Sequence, residues 1–181
     1  TAIGRHIATS LLDQAHRRFA LISADPESQI VIKMTKAIAS ITAEHPDAEI
    51  ISQRSGIEGY EAGFREIRSI WGNPDARPDA VICSADNTAL GILAGCKQHL
   101  NIKVPEDLAV IGLGDILPSG WKDHNLTTVK IPHDEMVSKA VETLIAGIED
   151  SSLEPQAFEF QAQLILRGTT RPVPVSTESP L

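Results

Sequence analysis

"VPEDLAVIGLGD", Val104 to Asp115, holds a short apolar run that ends in two glycines and an aspartate. A dinucleotide-phosphate cradle can begin this way, but it needs a third Gly or Ala three residues after the second glycine. It also needs a helix opening there, so that backbone amides meet the pyrophosphate. Gly112 and Gly114 are instead followed by Leu117 and Pro118, with Gly120 and no helical pattern behind them. The stretch therefore reads as a buried strand whose end turns sharply and delivers Asp115 to the carboxyl edge of a sheet, where open α/β sheets bind ligands.

Three further runs have the same character: "FALIS" (Phe19 to Ser23), "EIIS" (Glu49 to Ser52) and "AVICSA" (Ala80 to Ala85). With "LAVIG" (Leu108 to Gly112) they recur about every 30 residues, none alternates with polar residues, and helix-period segments fill the intervals. Strands covered on both faces look like this, and the spacing is that of right-handed βαβ units. The expected fold is α/β, an open parallel sheet with helices on both faces. "IVIKMTKAIASITAEH" places Ile30, Met34, Ala37 and Ile41 on one stripe, and "GYEAGFREIRSIW" does so with Tyr60, Phe64, Ile67 and Trp71. "NTALGILAGCKQHL", which Asp86 could cap, is apolar nearly all round and should be buried.

Two helical segments fall outside that rhythm. "TAIGRHIATSLLDQA" carries Ile3, Ile7, Leu11 and Ala15 on one face, with His16, Arg17 and Arg18 at its C-terminal end, where the macrodipole favours cations. "HDEMVSKAVETLIAGIED" follows Pro132 with acids in its first turn and a stripe of Met136, Val137, Ala140, Val141, Leu144 and Ile148. "LTTVKIP" (Leu126 to Pro132) reads as extended, and "FEFQAQLILRGTT" (Phe158 to Thr170) as a strand with one wetter face. Residues 173–181 hold two prolines without apolar period, the pattern of a disordered tail.

The composition limits function. A formal net charge of -8 gives no basic field for phosphate backbones, so these 181 residues are not expected to bind DNA or RNA unaided. Cys83 and Cys96 read as small buried hydrophobes of a reduced, cytoplasmic protein. No run approaches bilayer length, so no membrane association is expected. There is no Walker loop, no G-x-S-x-G elbow and no histidine or cysteine pair at metal-ligand spacing, which leaves no basis for an enzyme, cofactor or metal centre. What remains is polar groups at successive strand ends: Ser23 with Asp25, Arg54 with Ser55, Ser84 with Asp86, and Asp115. Such a row can grip a small polar molecule such as a sugar.

"PDAVICSADNTALGILAGCKQHLNIKVPEDLAVIGLGD", continued by "LTTVKIPHDEMVSKAVETLIAG" and closed by "LILRGTTRP", resembles the effector-binding region of the LacI/GalR family of bacterial transcription regulators. "LLDQAHRRFALIS" resembles that family's passage from helix to strand near mid-chain. The resemblance implies a periplasmic-binding-protein-like fold of two α/β lobes, a sugar-type effector in the cleft between them, homodimerisation, and operator binding through an N-terminal helix-turn-helix. The helix-turn-helix and most of the first lobe lie outside this sequence. By this comparison residues 1–15 and 132–150 are helices of the first lobe, 16–131 the second lobe, and 151–172 a returning strand that completes both. The two helices would then rest on a sheet not contained here, and are expected to pack on each other, on a second copy or on a missing segment.

The resemblance also implies effector contacts at Ser23, Lys33, Arg54, Asp86 and Asp115. Lys33 stands where arginine is usual, Arg54 where an aromatic ring often stacks on the sugar, and Ala85, ahead of Asp86, where an asparagine-like residue is usual. The family's G-F-D-D or G-Y-D-D turn reads Gly112, Leu113, Gly114, Asp115, without its first acid. One acid fewer and one arginine more suit an anionic effector, because guanidinium forks onto carboxylates, and G-L-G-D is similar to members that sense gluconate. A periplasmic sugar-binding protein of the same fold is the alternative, and a small flavodoxin-like or Rossmann-like enzyme the more distant one.

Overall fold

The computed structural model describes residues 2–150 and 152–172; the expected tail at 173–181 lies outside them. Six strands form one sheet: β1 (Arg18–Ile22), β2 (Glu49–Arg54), β3 (Ala80–Cys83), β4 (Ala109–Leu113), β5 (Thr127–Lys130) and β6 (Gln163–Ile165). Their order is β2-β1-β3-β4-β5-β6, parallel throughout except for the antiparallel β5–β6 pair. The strand order reverses between β1 and β3, so the ligand crevice of an open sheet falls at the carboxyl ends of these strands.

Helices cover both faces. α1 (Ala2–Asp13) and α2 (Gln29–Ala43) lie on one, where Ile7, Leu11, Met34 and Ile38 meet Phe19, Ile82 and Ile111. α3 (Tyr60–Trp71) and α4 (Asp86–Gly95) lie on the other, where Ile67, Ile70 and Ile92 meet Ile22, Val81 and Val110. The α3–α4 contact is backbone on backbone: a Cβ at Gly63 would stand 2.2 Å from the Thr88 carbonyl oxygen, and one at Gly91 2.0 Å from that of Tyr60. α4 ends in a wider turn over Cys96–Leu100 that closes on Asn101 in the left-handed conformation. Both cysteines are free and buried, and burial pushes the Cys96 thiol up to about 12 and raises that of Cys83 as well.

α1 departs from the expectation. It does not await another lobe: Ile7 and Leu11 are fully buried against α2 and this sheet, so residues 2–13 belong structurally to the lobe that β1 to β4 build. Its seat is close, since a Cβ at Gly4 would approach the Met34 carbonyl oxygen to 2.7 Å. Of the basic trio only Arg17 serves its C-terminal end, donating from Nη1 to the Leu12 carbonyl at 2.8 Å; His16 is buried and Arg18 opens β1. The stripe of α2 is shifted, with Ile38 inside and Ile30 exposed, and Tyr60 of α3 is exposed as well. Of the long strand expected at Phe158 to Thr170, only Gln163–Ile165 pairs.

α5 (His133–Glu149) is the helix without a seat. None of its residues is buried, and Val137, Val141, Leu144, Ile145 and Ile148 are half to three-quarters exposed. The chain then returns beside it as an unpaired segment, where Lys139 stands 4.9 Å from the centre of the Phe158 ring. A matched pair of substitutions reads the difference between α1 and α5. Ile7→Val should cost about 1 kcal/mol in urea unfolding, whereas Ile145→Val should cost close to nothing. Equal costs would mean that α1 is not seated as described.

Candidate functional site: the carboxyl rim of the sheet

Three depressions among the described residues lie on the rim. The first, about 260 Å³, opens at the ends of β1, β2 and β3, and its polar lining includes Ser23, Lys36, Arg54, Ser55 and Ser84. Ser84 also fixes the switch point, its Oγ accepting from the Ala24 amide at 3.2 Å. The second, about 560 Å³, lies where α1 and α2 begin, between Lys33, Leu113, Ile131 and Phe160. The third, about 400 Å³, holds Asp115, Lys130, His133 and Gln163 at the crossing from β5 to α5.

The rim residues expected from sequence are thus distributed rather than gathered. Ser23 and Arg54 share the first depression, Lys33 lies in the second and Asp115 in the third. Arg54 and Asp115 do not face one pocket, because β1 and β3 intervene and three strand spacings amount to about 14 Å. Arg54 is also partly neutralised, its Nη1 lying 3.3 Å from Glu66 Oε1 on α3. Asp115 accepts from Arg167 Nη2 at 2.6 Å, a pair in which both side chains are more than four-fifths buried. Asp25 accepts from the Glu27 amide in a local turn and caps no helix.

Asp86 is not a rim ligand. Its side chain is inside the protein, with the residue only 1% exposed, and both carboxylate oxygens are engaged. Oδ2 accepts from the Ile116 amide at 3.0 Å and from Ser119 Oγ at 2.6 Å, and Oδ1 accepts from Thr128 Oγ1. Nor does Asp86 cap α4, whose N-cap is Ala85. A buried carboxylate without donors is very unfavourable, which is why three converge on it.

Sequence reasoning missed Arg167, Ser119 and Thr128. Arg167 pairs with a residue 52 positions away, and Ser119 and Thr128 serve Asp86 from 33 and 42 away. No local spacing announces such partners. Lys36 and Lys130 were also overlooked; like Lys33, neither makes an ion pair among the described residues.

An open, mostly parallel sheet with a polar carboxyl rim and a helix displaced beyond it is shared with known proteins. Residues 8–170 match the model of the periplasmic binding protein-like domain. The chain belongs to that family. Among curated members, the ribose operon repressor of Escherichia coli K12 is 30% identical over 179 residues, 92% of this chain and 51% of that protein. The HTH-type transcriptional repressor PurR of Vibrio parahaemolyticus is 35% identical over 97 residues, 54% of this chain and 29% of its own length. A LacI family transcriptional regulator from Lactobacillus casei, solved with bound sucrose, superposes with a TM-score of 0.79 at 25% identity, covering 93% of this chain and 62% of that one. The dimeric Lac repressor shares the fold, with a TM-score of 0.80 at 20% identity over 92% of this chain and 60% of that one. The resemblance to the LacI-type effector-binding region is therefore borne out. This periplasmic binding protein-like chain spans about half the length of the ribose operon repressor it matches. Among the described residues no helix is long and apolar enough to cross a membrane, and no cluster of three or more His, Cys, Asp or Glu could hold a metal ion.

Proposed function

We propose that this chain is the effector-sensing portion of a cytoplasmic LacI-type transcriptional regulator. It would bind a small sugar or sugar acid at the carboxyl rim of its sheet and catalyse nothing. The observation that carries the proposal is half a cleft: a polar rim at a topological switch point, with α5 beginning beside it and keeping its apolar residues Val137, Val141, Leu144 and Ile148 at least half exposed. In this reading α5 covers the sheet of a first lobe, and the unpaired segment before β6 joins that sheet as an edge strand. Burying Val141 or Leu144 there contributes roughly 1.5 to 3 kcal/mol each. Operator DNA is contacted by a helix-turn-helix outside these residues, which agrees with the net charge of -8, and the whole acts as a homodimer. Effector binding closes the lobes and resets the spacing of the DNA-binding heads, a coupling typically worth about 1 to 3 kcal/mol.

Ser23, Lys33, Arg54 and Asp115 are the proposed effector-facing residues on this side, with Asp115 presented through its pair with Arg167. An anionic, gluconate-like effector is favoured. Gly114 occupies the place of an acid, and among the described residues Lys33, Lys36 and Lys130 on the rim make no ion pair. Calorimetry with gluconate and with ribose, on the chain joined to its first lobe, tests both levels. Gluconate is expected to bind at least about tenfold tighter, a difference of 1.4 kcal/mol. Tighter ribose binding sinks the anion reading, and binding of neither sinks the sugar reading.

A further inference from the structure

We infer that Asp86 is a positioning residue, which with Thr128 and Arg167 makes the rim loop 114–120 move as one body with the two strands that cross to α5 and back. The inference rests on the proposed function only for the meaning of the rim; the device itself stands on geometry.

The loop leaves β4 at Gly114 (φ 136°), passes Asp115 in the left-handed conformation (φ 52°) and makes a short 3-10 turn over Leu117–Gly120. No α-helix separates β4 from β5; backbone bonds fasten the two ends of the loop, the Gly114 amide donating to the Val129 carbonyl and the Leu126 amide to the Ser119 carbonyl, both at 2.8 Å. Asp86 holds the stretch between them. From the start of α4 its carboxylate takes the Ile116 amide and the Ser119 hydroxyl on one oxygen, and Thr128 of β5 on the other. The carboxylate lies over β4, where a Cβ at Gly112 would stand 2.1 Å from Oδ1, so that position admits only glycine. The Asp115 amide also approaches Thr128 Oγ1 at 3.4 Å.

The second crossing is fastened from the other side. Arg167, just beyond β6, donates to Asp115 Oδ1 at 2.6 Å and to the Leu126 carbonyl at 2.8 Å, while its own amide donates to Thr127 Oγ1 at 2.8 Å. One loop is thus bound to both crossing strands through one buried and one partly buried carboxylate. A displacement of the loop by a ligand would leave Asp86 short of donors unless β5 followed. The loop and the crossings have one arrangement in common.

The double variant Ser119→Ala with Thr128→Val removes two of the three donors with little change of volume. In hydrogen exchange of the 181-residue chain, amides of 114–120 should exchange at least tenfold faster while those of β1 and β3 are unchanged. Thr128→Ser, which keeps the hydroxyl, should exchange like the parent. Unchanged loop exchange, or acceleration shared equally by β1 and β3, overturns the assignment, because it would show either an idle contact or mere loss of stability. In the two-lobe protein, whichever of gluconate and ribose binds the parent should bind the double variant at least tenfold more weakly, with Thr128→Ser restored. Undiminished affinity with a loosened loop overturns the positioning role. If neither sugar binds the parent, the proposed function fails while the exchange result still decides the device.

Discussion

Gly91→Ala should destabilise the chain by about 3 kcal/mol or more, although alanine is the better helix former by roughly 1 kcal/mol. Gly91 lies in the middle of α4, where a Cβ would stand 2.0 Å from the Tyr60 carbonyl oxygen and 2.8 Å from the Phe64 amide nitrogen, both in α3. Real Cβ atoms essentially never come closer than 3.0 Å to such atoms, and helix backbone cannot turn aside as a flexible side chain can. α3 must therefore withdraw, and it carries Ile67 and Ile70 into the core against Ile22, Val81 and Ile92. Dense interiors do not absorb such a shift without opening voids. At roughly 2 to 4 °C per kcal/mol for a chain of this size, the melting temperature should fall by about 6 to 12 °C. The control is Gly147→Ala on α5, where a Cβ meets nothing within 4 Å. That change should be neutral or slightly stabilising, and a Gly91 variant that melts with the parent would contradict the described approach of the two helices.

The same pair of helices shows what was legible in the sequence. Four strands could be read because each is a short apolar run without alternation, and their order of covering helices followed from the spacing. That α3 and α4 meet at their glycines could not be read, since nothing in "ALGILAG" says which side of a nearly uniformly apolar helix faces its neighbour. Residues 2–13 were misassigned for a related reason. An amphipathic stripe declares that a face is buried, not which sheet buries it, and nothing in it announces the packing of Ile7 and Leu11 on α2. Along the rim, strand ends named Ser23, Arg54 and Asp115 correctly as edge residues, because position at a strand end is a local property. The burial of Asp86 is not local; it depends on Ile116, Ser119 and Thr128 arriving from 30 or more residues away.

The stability of the chain should fall as the pH drops below 6.5, because of His16. This residue sits at the turn from α1 into β1, fully buried, with Asp79 Oδ1 3.8 Å from Nδ1. Desolvation dominates and lowers its pKa from the ordinary 6.5; Asp79 pulls the other way, while Arg171 and Arg17 add to the lowering. The carboxylate of Asp79 is already engaged by the amides of Arg17 and Arg18, at 2.7 and 2.9 Å, so it offers a protonated imidazole limited compensation. With the folded pKa below the unfolded one, the unfolded chain binds the proton first as the pH falls through 6.5. More protons are then bound unfolded than folded, so the unfolding free energy declines with falling pH, by up to about 1.4 kcal/mol per unit, and levels off only below the folded pKa. The window from pH 7 to 5.5 isolates this effect from carboxylate titration, which begins lower. Urea unfolding at half-unit steps should show the decline in the parent and a flatter profile in His16→Phe, with His16→Gln as a second variant in case the larger ring strains the site. The slope, not the absolute stability, is the readout, since either substitution alters packing at a buried position. A parent profile that is level through this window, or variants that decline as steeply as the parent, would mean that the turn between α1 and β1 admits the charged imidazole and is wetter than its burial implies.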